Sequence, residues 1–238
     1  MTAVAAPLAA VARELEGVLA SVEALRAEAV VALEAVERPA RGDLAALREP
    51  VAALLERHRG FAAGAGVVLA PGVLADAARW LEWWWADRGA GIERLEVDLD
   101  EDSAEFYDYT TTEWYRGPEQ TGRPAVAGPY VDYICTHEYT FTLAVPLLPG
   151  GRFAGVAGAD VLAAEVERAV LPELARRERL TVLASDNGRV IASNAAALAP
   201  GVVLARQEVA ARLEPLAGAR SSILPWTLLE LGTGMTRT

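Results

Sequence analysis

The first quarter of the chain repeats its apolar residues at the spacing of an α-helix. Residues 7–59 keep this period, with charged side chains on the opposite face. A break at residues 37–42, which include a proline and a glycine, separates two predicted helices, the second running from about Asp43, a suitable N-cap, to His58. Helices of this kind pack on a sheet or on the same helices of a partner copy. Homodimerisation through residues 1–60 is therefore an open alternative.

Beyond Gly60 the sequence changes to short apolar pieces separated by glycine and proline, a pattern typical of β-structure. Alternation of apolar and acidic residues predicts a half-buried strand at Leu95–Leu99. Two hairpins follow, the second with an Asn-Gly turn at its tip. Their predicted strands are Tyr139–Leu147 paired with Phe153–Val161, and Leu180–Ala184 paired with Arg189–Ser193. The middle of the chain is therefore predicted to be antiparallel sheet.

Three further segments are predicted to be helical from their apolar spacing. They are Leu74–Asp87, Val161–Arg179 and Gln207–Leu216. The first contains four tryptophans, at positions 80, 83, 84 and 85, and three consecutive ones cannot all face one core. We expect most of them to pack inward, with a carbohydrate platform or a partner surface as the alternative. The last eight residues have the composition of a frayed tail.

Together these elements predict an α+β fold, with a long N-terminal helix followed by antiparallel sheet modules. The chain has 238 residues, of which 53% are hydrophobic, enough for one large domain or two small ones. We expect a helical segment at 1–60, a first sheet module at 61–170, and a second, smaller module with the tail at 171–238.

Charge and composition exclude several classes of function. The net charge of −11 argues against nucleic acid and anionic membranes, which are bound through clustered cations. Lysine is absent, which excludes Schiff-base chemistry and the P-loop lysine. Cys135, His58 and His137 are too few soft ligands for a structural zinc site, and the acidic turn at 98–102 lacks the spacing of an EF-hand. We therefore predict neither a metal nor a cofactor.

The sequence also bears on where the protein resides. No window reaches the roughly 18 uninterrupted apolar residues that a membrane span needs. The N-terminus lacks the early positive charge of a secretory signal, and Arg13 and Glu14 interrupt its apolar residues. The sequence therefore predicts a soluble, cytoplasmic protein without a membrane partner.

Clustered aromatic and acidic residues in the middle of the chain mark the candidate site. They lie in three pieces, Phe106–Pro118, Gly128–Tyr133 and Gly155–Asp160. Aromatic ring faces attract an organic cation, and carboxylates accept charge-assisted hydrogen bonds from its N–H groups. This composition favours a small-molecule pocket for an amine. The structural alternative is that the aromatic residues only pack a core, as on β-strands, and that the aspartates only cap turns.

The order and spacing of these residues resemble the ligand-binding signature of double Cache (dCache) sensor domains. The matching positions are Tyr107, Trp114, Tyr115, Tyr130, Asp132 and Asp160. The resemblance covers roughly residues 60–193 and implies PAS-like antiparallel modules of the Cache type. Amino-acid-binding members carry an arginine two residues before the Trp-Tyr pair, which clamps the ligand's carboxylate. Thr112 holds that place here and cannot form a bidentate ion pair.

The resemblance therefore implies an amine-sensing pocket that lacks the carboxylate clamp. Asp132 and Asp160 are expected to accept the ammonium group. Tyr107 and Tyr130 are expected to add hydroxyl or ring contacts, and Trp114 with Tyr115 to form a wall of the pocket. The loop at 118–128 is expected to close over the ligand. An alternative is that Arg116 serves as a displaced carboxylate anchor, which would make the protein an amino-acid sensor.

Members of this family usually lie outside the membrane between two spans and feed a kinase, cyclase or chemotaxis output. This sequence shows neither a span nor an output domain, so we expect a free-standing sensor that acts through an unknown regulator or enzyme. Two alternatives stay open: an enzyme acting on a small amine with Asp132 and Asp160 as acid and base, and a structural dimerisation protein. Cys135 and His137 match no Cys-His protease motif. We predict a binding protein rather than an enzyme.

Overall fold

The computed structural model describes residues 5–87, 91–134, 139–206, 209–220 and 226–232, and confirms the α+β class. The helices of this part of the chain are α1 (Ala5–Glu34), α2 (Arg48–Arg57), α3 (Glu113–Thr121) and α4 (Ala163–Ala175). The strands are β1 (Ala62–Leu69), β2 (Trp80–Asp87), β3 (Gly91–Arg94), β4 (Ala125–Val131), β5 (Tyr139–Leu147), β6 (Gly155–Leu162), β7 (Thr181–Ser185), β8 (Val190–Ser193), β9 (Leu213–Arg220) and β10 (Trp226–Leu231). None of the described helices is long and apolar enough to cross a membrane.

Six of the described strands form one antiparallel sheet in the order β3-β2-β1-β6-β5-β4. Every residue of the two central strands, β1 and β6, is buried, so these strands are covered on both faces. Helix α2 packs against β1 and β2, whereas α3 packs against β4, β5 and β6. The centre of this sheet is therefore the core of the larger module.

The predicted hairpin of the first module is present. β5 has the predicted bounds, and β6 begins at Gly155, two residues later than predicted. The reversal between them is a 3₁₀ turn at Pro149–Gly151, in which Gly150 (φ 53°) and Gly151 (φ 78°) are left-handed. Glycine adopts this conformation without steric cost, so the Pro-Gly-Gly sequence determines where the chain turns.

The predicted helix at Leu74–Asp87 is wrong, because residues 80–87 form strand β2. This strand pairs with β1 on one side and with β3 on the other. Aromatic side chains suit a pleated surface, and the period of two puts Trp83 and Trp84 on opposite faces of the sheet, where both are buried. Pairing with β1 and β3, rather than the apolar spacing of the segment itself, decides the structure of residues 80–87.

Three smaller expectations also differ from the structure. The segment Leu95–Leu99 lies outside the described strands, although its apolar residues pack on the core as their alternation predicts. The segment at 118–128, predicted to be a closing loop, comprises the end of α3 and the start of β4. The predicted helix Gln207–Leu216 is wrong for the residues that the structure describes. Ala210–Arg212 is a 3₁₀ turn, and strand β9 follows it. Pairing with β10 satisfies the backbone groups of β9. Residues 207, 208 and 233–238 lie outside the described part.

The second module is a smaller antiparallel sheet in the order β8-β7-β10-β9. Its predicted hairpin is present as β7 and β8, with Gly188 (φ 75°) in the turn. Helix α4 accounts for the middle of the helix predicted at Val161–Arg179. Asn194 joins the end of this helix to the sheet: its amide donates to the carbonyl of Leu174, and its oxygen accepts from the N–H of Thr181.

Two compact units divide the chain at positions other than the predicted domain limits. One unit is Val18–Leu162, and the other combines the described residues before Val18 with those after Leu162. The 30 residues of α1 therefore contribute to both units. The sequence instead predicts domain limits at residues 60 and 170, with the N-terminal helices as a segment of their own. That division stays a prediction.

Glycine in β1 allows the backbones of neighbouring strands to approach closely. Gly66 pairs with Trp83 of β2 and with Gly158 of β6. A Cβ at position 66 would lie 2.6 Å from the Cα of Trp83 and nearer still to the carbonyl oxygen of Glu82. The obstructing atoms belong to the backbone and cannot rotate away. The contact between β1 and β2 therefore requires glycine at position 66.

Replacing Gly66 by alanine is expected to lower the free energy of unfolding by about 2 kcal/mol or more, because the added methyl collides with β2. Urea denaturation followed by circular dichroism measures this. The matched control is Gly42→Ala, where no atom lies within 4 Å of the added methyl, and it should change stability by less than about 1 kcal/mol. Equal effects of the two substitutions would contradict the close approach.

Candidate functional site

The candidate site is a pocket on one face of the larger sheet. It contains about 360 Å³ of empty space, a figure that includes the part open to solvent. Five of the six predicted site residues line it. The described residues of the lining are Val68, Leu81, Trp83, Leu95, Tyr107, Trp114, Tyr130, Asp132, Ile134, Thr142 and Asp160.

The strand register explains why side chains from distant parts of the sequence meet here. Directly paired residues share one face of a sheet. Thr142 of β5 pairs with Asp160 of β6, which in turn pairs with Gly64 of β1. The next row on the same face is Ala144, Gly158, Gly66 and Trp83. A polar row therefore lies beside a row of small residues that leaves space for one large side chain.

Trp83 fills that space with its indole ring. The residue is only 5% exposed. Its ring extends across two neighbouring strands: a Cβ at Gly158 would lie 3.4 Å from Cη2, and a Cβ at Gly64 would lie 2.8 Å from Nε1. The absence of side chains at these two positions gives the ring its place, and the ring becomes a wall of the pocket.

A chain of hydroxyl groups holds Asp160. Thr142 Oγ1 donates to Asp160 Oδ1 at 2.6 Å, and the Tyr130 hydroxyl lies 2.5 Å from the same threonine oxygen. When Asp160 is ionised, the threonine hydroxyl gives its one proton to the carboxylate, so the Tyr130 hydroxyl is then the donor in the second bond. This chain orients Oδ1 and leaves Oδ2 on the side of Gly64, 3.3 Å from the position of a Cβ there.

Burial changes the acidity of Asp160. The residue is 7% exposed, and burial raises the pKa of its carboxyl from 3.8 to about 7. This pKa includes an opposing effect of the hydrogen bond from Thr142, which lowers it, and a smaller effect of the neighbouring Asp132, which raises it. Burial also raises the pKa of the Tyr130 hydroxyl far above its usual value, so this group remains a hydrogen-bond donor. A positive charge in the pocket would favour the ionised form of Asp160.

Asp132 directly follows β4 and is 8% exposed. Its Oδ1 accepts a hydrogen bond from the N–H of Ile134 at 3.0 Å, which stabilises the turn after the strand. The same carboxylate is close enough to Asp160 to shift the pKa of that group. Asp132 therefore caps a turn, which was the structural alternative from the sequence, and also lines the pocket.

The charge of the lining is one-sided. Among its described residues two are carboxylates, and none is an arginine or a histidine. Thr112, at the start of α3, is not among them, and its hydroxyl donates to the carbonyl of Tyr109 at 2.7 Å. Arg116 is exposed on α3 and is likewise absent from the described lining. The part of the pocket that the structure describes is therefore acidic without a compensating cation.

Tyr115 is the predicted site residue that the structure places apart from the pocket. It is 1% exposed and packs edge to face against Tyr109, Trp114 and Phe153. Its hydroxyl is buried and has no hydrogen-bond partner in the described structure. Tyr115 therefore supports the neighbouring Trp114, which does line the pocket, from the core side of α3.

Six residues of the lining were missed at the level of sequence: Val68, Leu81, Trp83, Leu95, Ile134 and Thr142. Trp83 was missed because its segment was interpreted as a helix. The available signal was the Gly64-x-Gly66 spacing, which marks a strand with space on one face. Thr142 was missed because a threonine in a predicted strand is common for its β-propensity alone. Only the pairing of β5 with β6 shows that it lies beside Asp160.

The described residues contain no group of three or more His, Cys, Asp or Glu side chains that could hold a metal ion. Cys135 and His137, which the sequence analysis considered as a thiol and imidazole pair, lie outside the described residues. The chemistry of the described pocket therefore rests on carboxylates, hydroxyls and aromatic rings.

Residues 59–167 match the family model described as "Methyl-accepting chemotaxis protein-like, first PDC sensor domain". The matched segment is somewhat less than half of the chain and contains every described residue that lines the pocket. None of the curated proteins matches the chain. The segment that holds the pocket is thus similar to a sensor domain.

Solved structures of sensor domains share this fold. A protein titled "Methyl-accepting Chemotaxis protein X" is 19% identical with a TM-score of 0.60, over 98% of this chain and 96% of that one. The ligand-binding domain of the Pseudomonas aeruginosa PAO1 amino acid chemoreceptor PctC, in complex with GABA, is 19% identical with a TM-score of 0.60, over 95% and 94%. The extracellular domain of the putative histidine kinase mmHK1S-Z3 is 14% identical with a TM-score of 0.62, over 93% and 88%. The resemblance to sensor domains is therefore confirmed at the level of the fold.

The raised pKa of Asp160 has a consequence for stability. Between about pH 4 and pH 7 the folded protein retains a proton that the unfolded chain has lost, so this group makes the free energy of unfolding fall as the pH rises. Asp160→Asn removes the titrating carboxyl and with it this fall in the free energy of unfolding. We expect the variant to be more stable than the native protein by about 2 to 4 kcal/mol at pH 8, and to match it near pH 4.

Chemical denaturation at the two pH values measures this difference. Asp102→Asn, which alters an exposed carboxyl of the acidic turn at 98–102, is the control and should change little at either pH. A stability difference between Asp160→Asn and the native protein that does not depend on pH would contradict the raised pKa.

Proposed function

We propose that the pocket binds an organic amine in its cationic form and that the chain acts as a sensor for it. The observation that carries this proposal is the one-sided charge of the described lining: two buried carboxylates, aromatic rings and no cation. Asp160, which accepts from one hydroxyl donor in the described structure, is costly to bury as a carboxylate unless its charge is paired. An ammonium group supplies both the charge and the N–H donors that are required.

The contacts available to such a ligand follow from the geometry. Asp160 presents Oδ2 while its other oxygen is held by Thr142. Trp83 and Trp114 line the same space and offer ring faces. Each charge-assisted hydrogen bond or cation-π contact contributes on the order of 1 to 3 kcal/mol in a desolvated site. Several together correspond to roughly micromolar affinity.

The absence of a cation from the described lining favours an amine without an α-carboxylate over an amino acid. PctC is titled as a complex with GABA, and the Pseudomonas fluorescens chemoreceptor CtaA, 16% identical with a TM-score of 0.56, as a complex with L-isoleucine. A ligand carboxylate in the present pocket would lie beside Asp132 and Asp160 and be repelled. The alternative with Arg116 as anchor would require that exposed side chain to turn inward from α3.

A sensor is favoured over an enzyme on the same grounds. The family model and the similar structures are sensor domains. Asp132 is engaged with the backbone of the next turn, and Asp160 with Thr142, so both carboxylates have positioning partners. The signal then passes to another protein through a change in conformation or association.

Three parts of this proposal go beyond the fold. They are the amine class of the ligand, action as a free-standing protein through a regulator or enzyme, and a cytoplasmic location. Similar domains are titled as extracellular parts of histidine kinases and as parts of chemoreceptors. Fractionation of the native host, with detection by antibody, decides the location.

Isothermal titration calorimetry with small primary amines, each tested beside the amino acid that carries the same amine and an added α-carboxylate, tests the proposal. We expect the amines to bind and the amino acids to bind at least about tenfold more weakly, because of repulsion by the two aspartates. Asp160→Asn should weaken amine binding by about tenfold or more, since it removes the charge that attracts the ammonium group.

The control is again Asp102→Asn, which should bind as the native protein does. Tighter binding of the amino acids would support the Arg116 alternative, and chemical conversion of a bound amine, seen by mass spectrometry, would support an enzyme. Failure of every amine to bind contradicts the proposed function.

A further inference from the structure

Two neighbouring polar atoms of the pocket make no hydrogen bond within the described part of the chain. One is the indole N–H of Trp83, and the other is the Oδ2 oxygen of Asp160. Both residues line the pocket, and neither atom is among those that are fully sealed from solvent. Polar groups in such surroundings nearly always have a partner, whether protein, water or ligand. These two atoms are therefore directed at whatever occupies the pocket.

The two atoms lie on either side of Gly64. A Cβ at this position would be 2.8 Å from Trp83 Nε1 and 3.3 Å from Asp160 Oδ2. The donor and the acceptor are consequently no further apart than the sum of these distances. A ligand that satisfies both must carry its own donor and its own acceptor only a few bonds apart.

We infer that Trp83 is a specificity-determining residue that donates its indole N–H to a neutral oxygen of the ligand, close to the ammonium group that binds Asp160. The ligand class is an amine with a hydroxyl, ether or amide oxygen two or three bonds from its nitrogen-bearing carbon. This inference rests on the proposed function, since Asp160 takes the ammonium group in both.

The chemistry of the pocket favours a neutral oxygen over a charged one. A ligand carboxylate at Trp83 would meet a single neutral donor while lying near two acidic residues, Asp160 and Asp132. Repulsion in a poorly solvated site exceeds what one neutral hydrogen bond returns. A hydroxyl or amide oxygen accepts the same bond without that repulsion.

The pocket should also discriminate against plain alkylamines. An alkyl chain placed against Trp83 removes water from the indole N–H and gives it no acceptor. Sites built around a hydrogen bond reject analogues that lack it, because the protein group is then left unpaired. The preference for an oxygen-bearing amine therefore arises from Trp83, and the preference for a cation from Asp160.

The inference can be tested with ethanolamine and n-propylamine, which differ by a hydroxyl in place of a methyl and are both protonated at neutral pH. Calorimetry gives the ratio of their dissociation constants for the native protein and for Trp83→Phe, which keeps an aromatic ring and removes the N–H. We expect the preference for ethanolamine to fall by about fivefold to tenfold in the variant. Trp85→Phe, outside the described lining of the pocket, is the control and should leave the ratio unchanged.

A ratio that is the same in the native protein and in Trp83→Phe overturns the inference and leaves the proposed function intact. Failure of both amines to bind the native protein overturns the inference together with the proposed function. If Trp83→Phe does not fold, the native protein decides through the NMR signal of the Trp83 indole N–H. We expect it to move downfield with ethanolamine only, and equal movement with n-propylamine overturns the inference.

Discussion

The site depends on a single costly placement, a carboxylate on a fully buried central strand. Asp160 lies on β6 between β1 and β5, and its charge is stabilised in the described structure by one hydroxyl donor, Thr142. The pKa of Asp160 is raised because this one donor does not fully stabilise the buried charge. In the function proposed above, a bound cation supplies that stabilisation, so the feature that lowers the stability of the free protein favours ligand binding.

The rest of the pocket follows from making space around this carboxylate. Strands β1 and β6 are buried on both faces, where large apolar side chains would normally fill the volume. Glycines at positions 64, 66 and 158 leave that volume to the indole of Trp83, which reaches over them from β2. Helix α3 supplies Trp114, and Tyr115 behind it holds the helix against the core. Backbone spacing and pocket shape are therefore set by the same residues.

The sequence predicts the parts of this arrangement that depend on local order. Turn chemistry at Pro149–Gly151 located the hairpin of β5 and β6, and the ordered signature from Tyr107 to Asp160 located five of the residues that line the pocket. The parts that depend on distant pairing were missed. The segment of Trp83 was predicted to be helical because its own apolar spacing does not show that it pairs with β1 and β3. Trp114 and Tyr115 were interpreted as one wall, yet consecutive residues of a helix point about 100° apart, so only Trp114 lines the pocket.

The central claim is that the carboxyl of Asp160 is the group that binds the ligand's positive charge. Carbon-detected NMR titration of this carboxyl, in the free protein and in the presence of a saturating primary amine, tests it most directly. The account predicts a pKa of about 7 in the free protein and a pKa lower by at least roughly one unit with amine bound, since the cation stabilises the carboxylate. A pKa near 4 in the free protein, or one that the bound amine leaves unchanged, would contradict it.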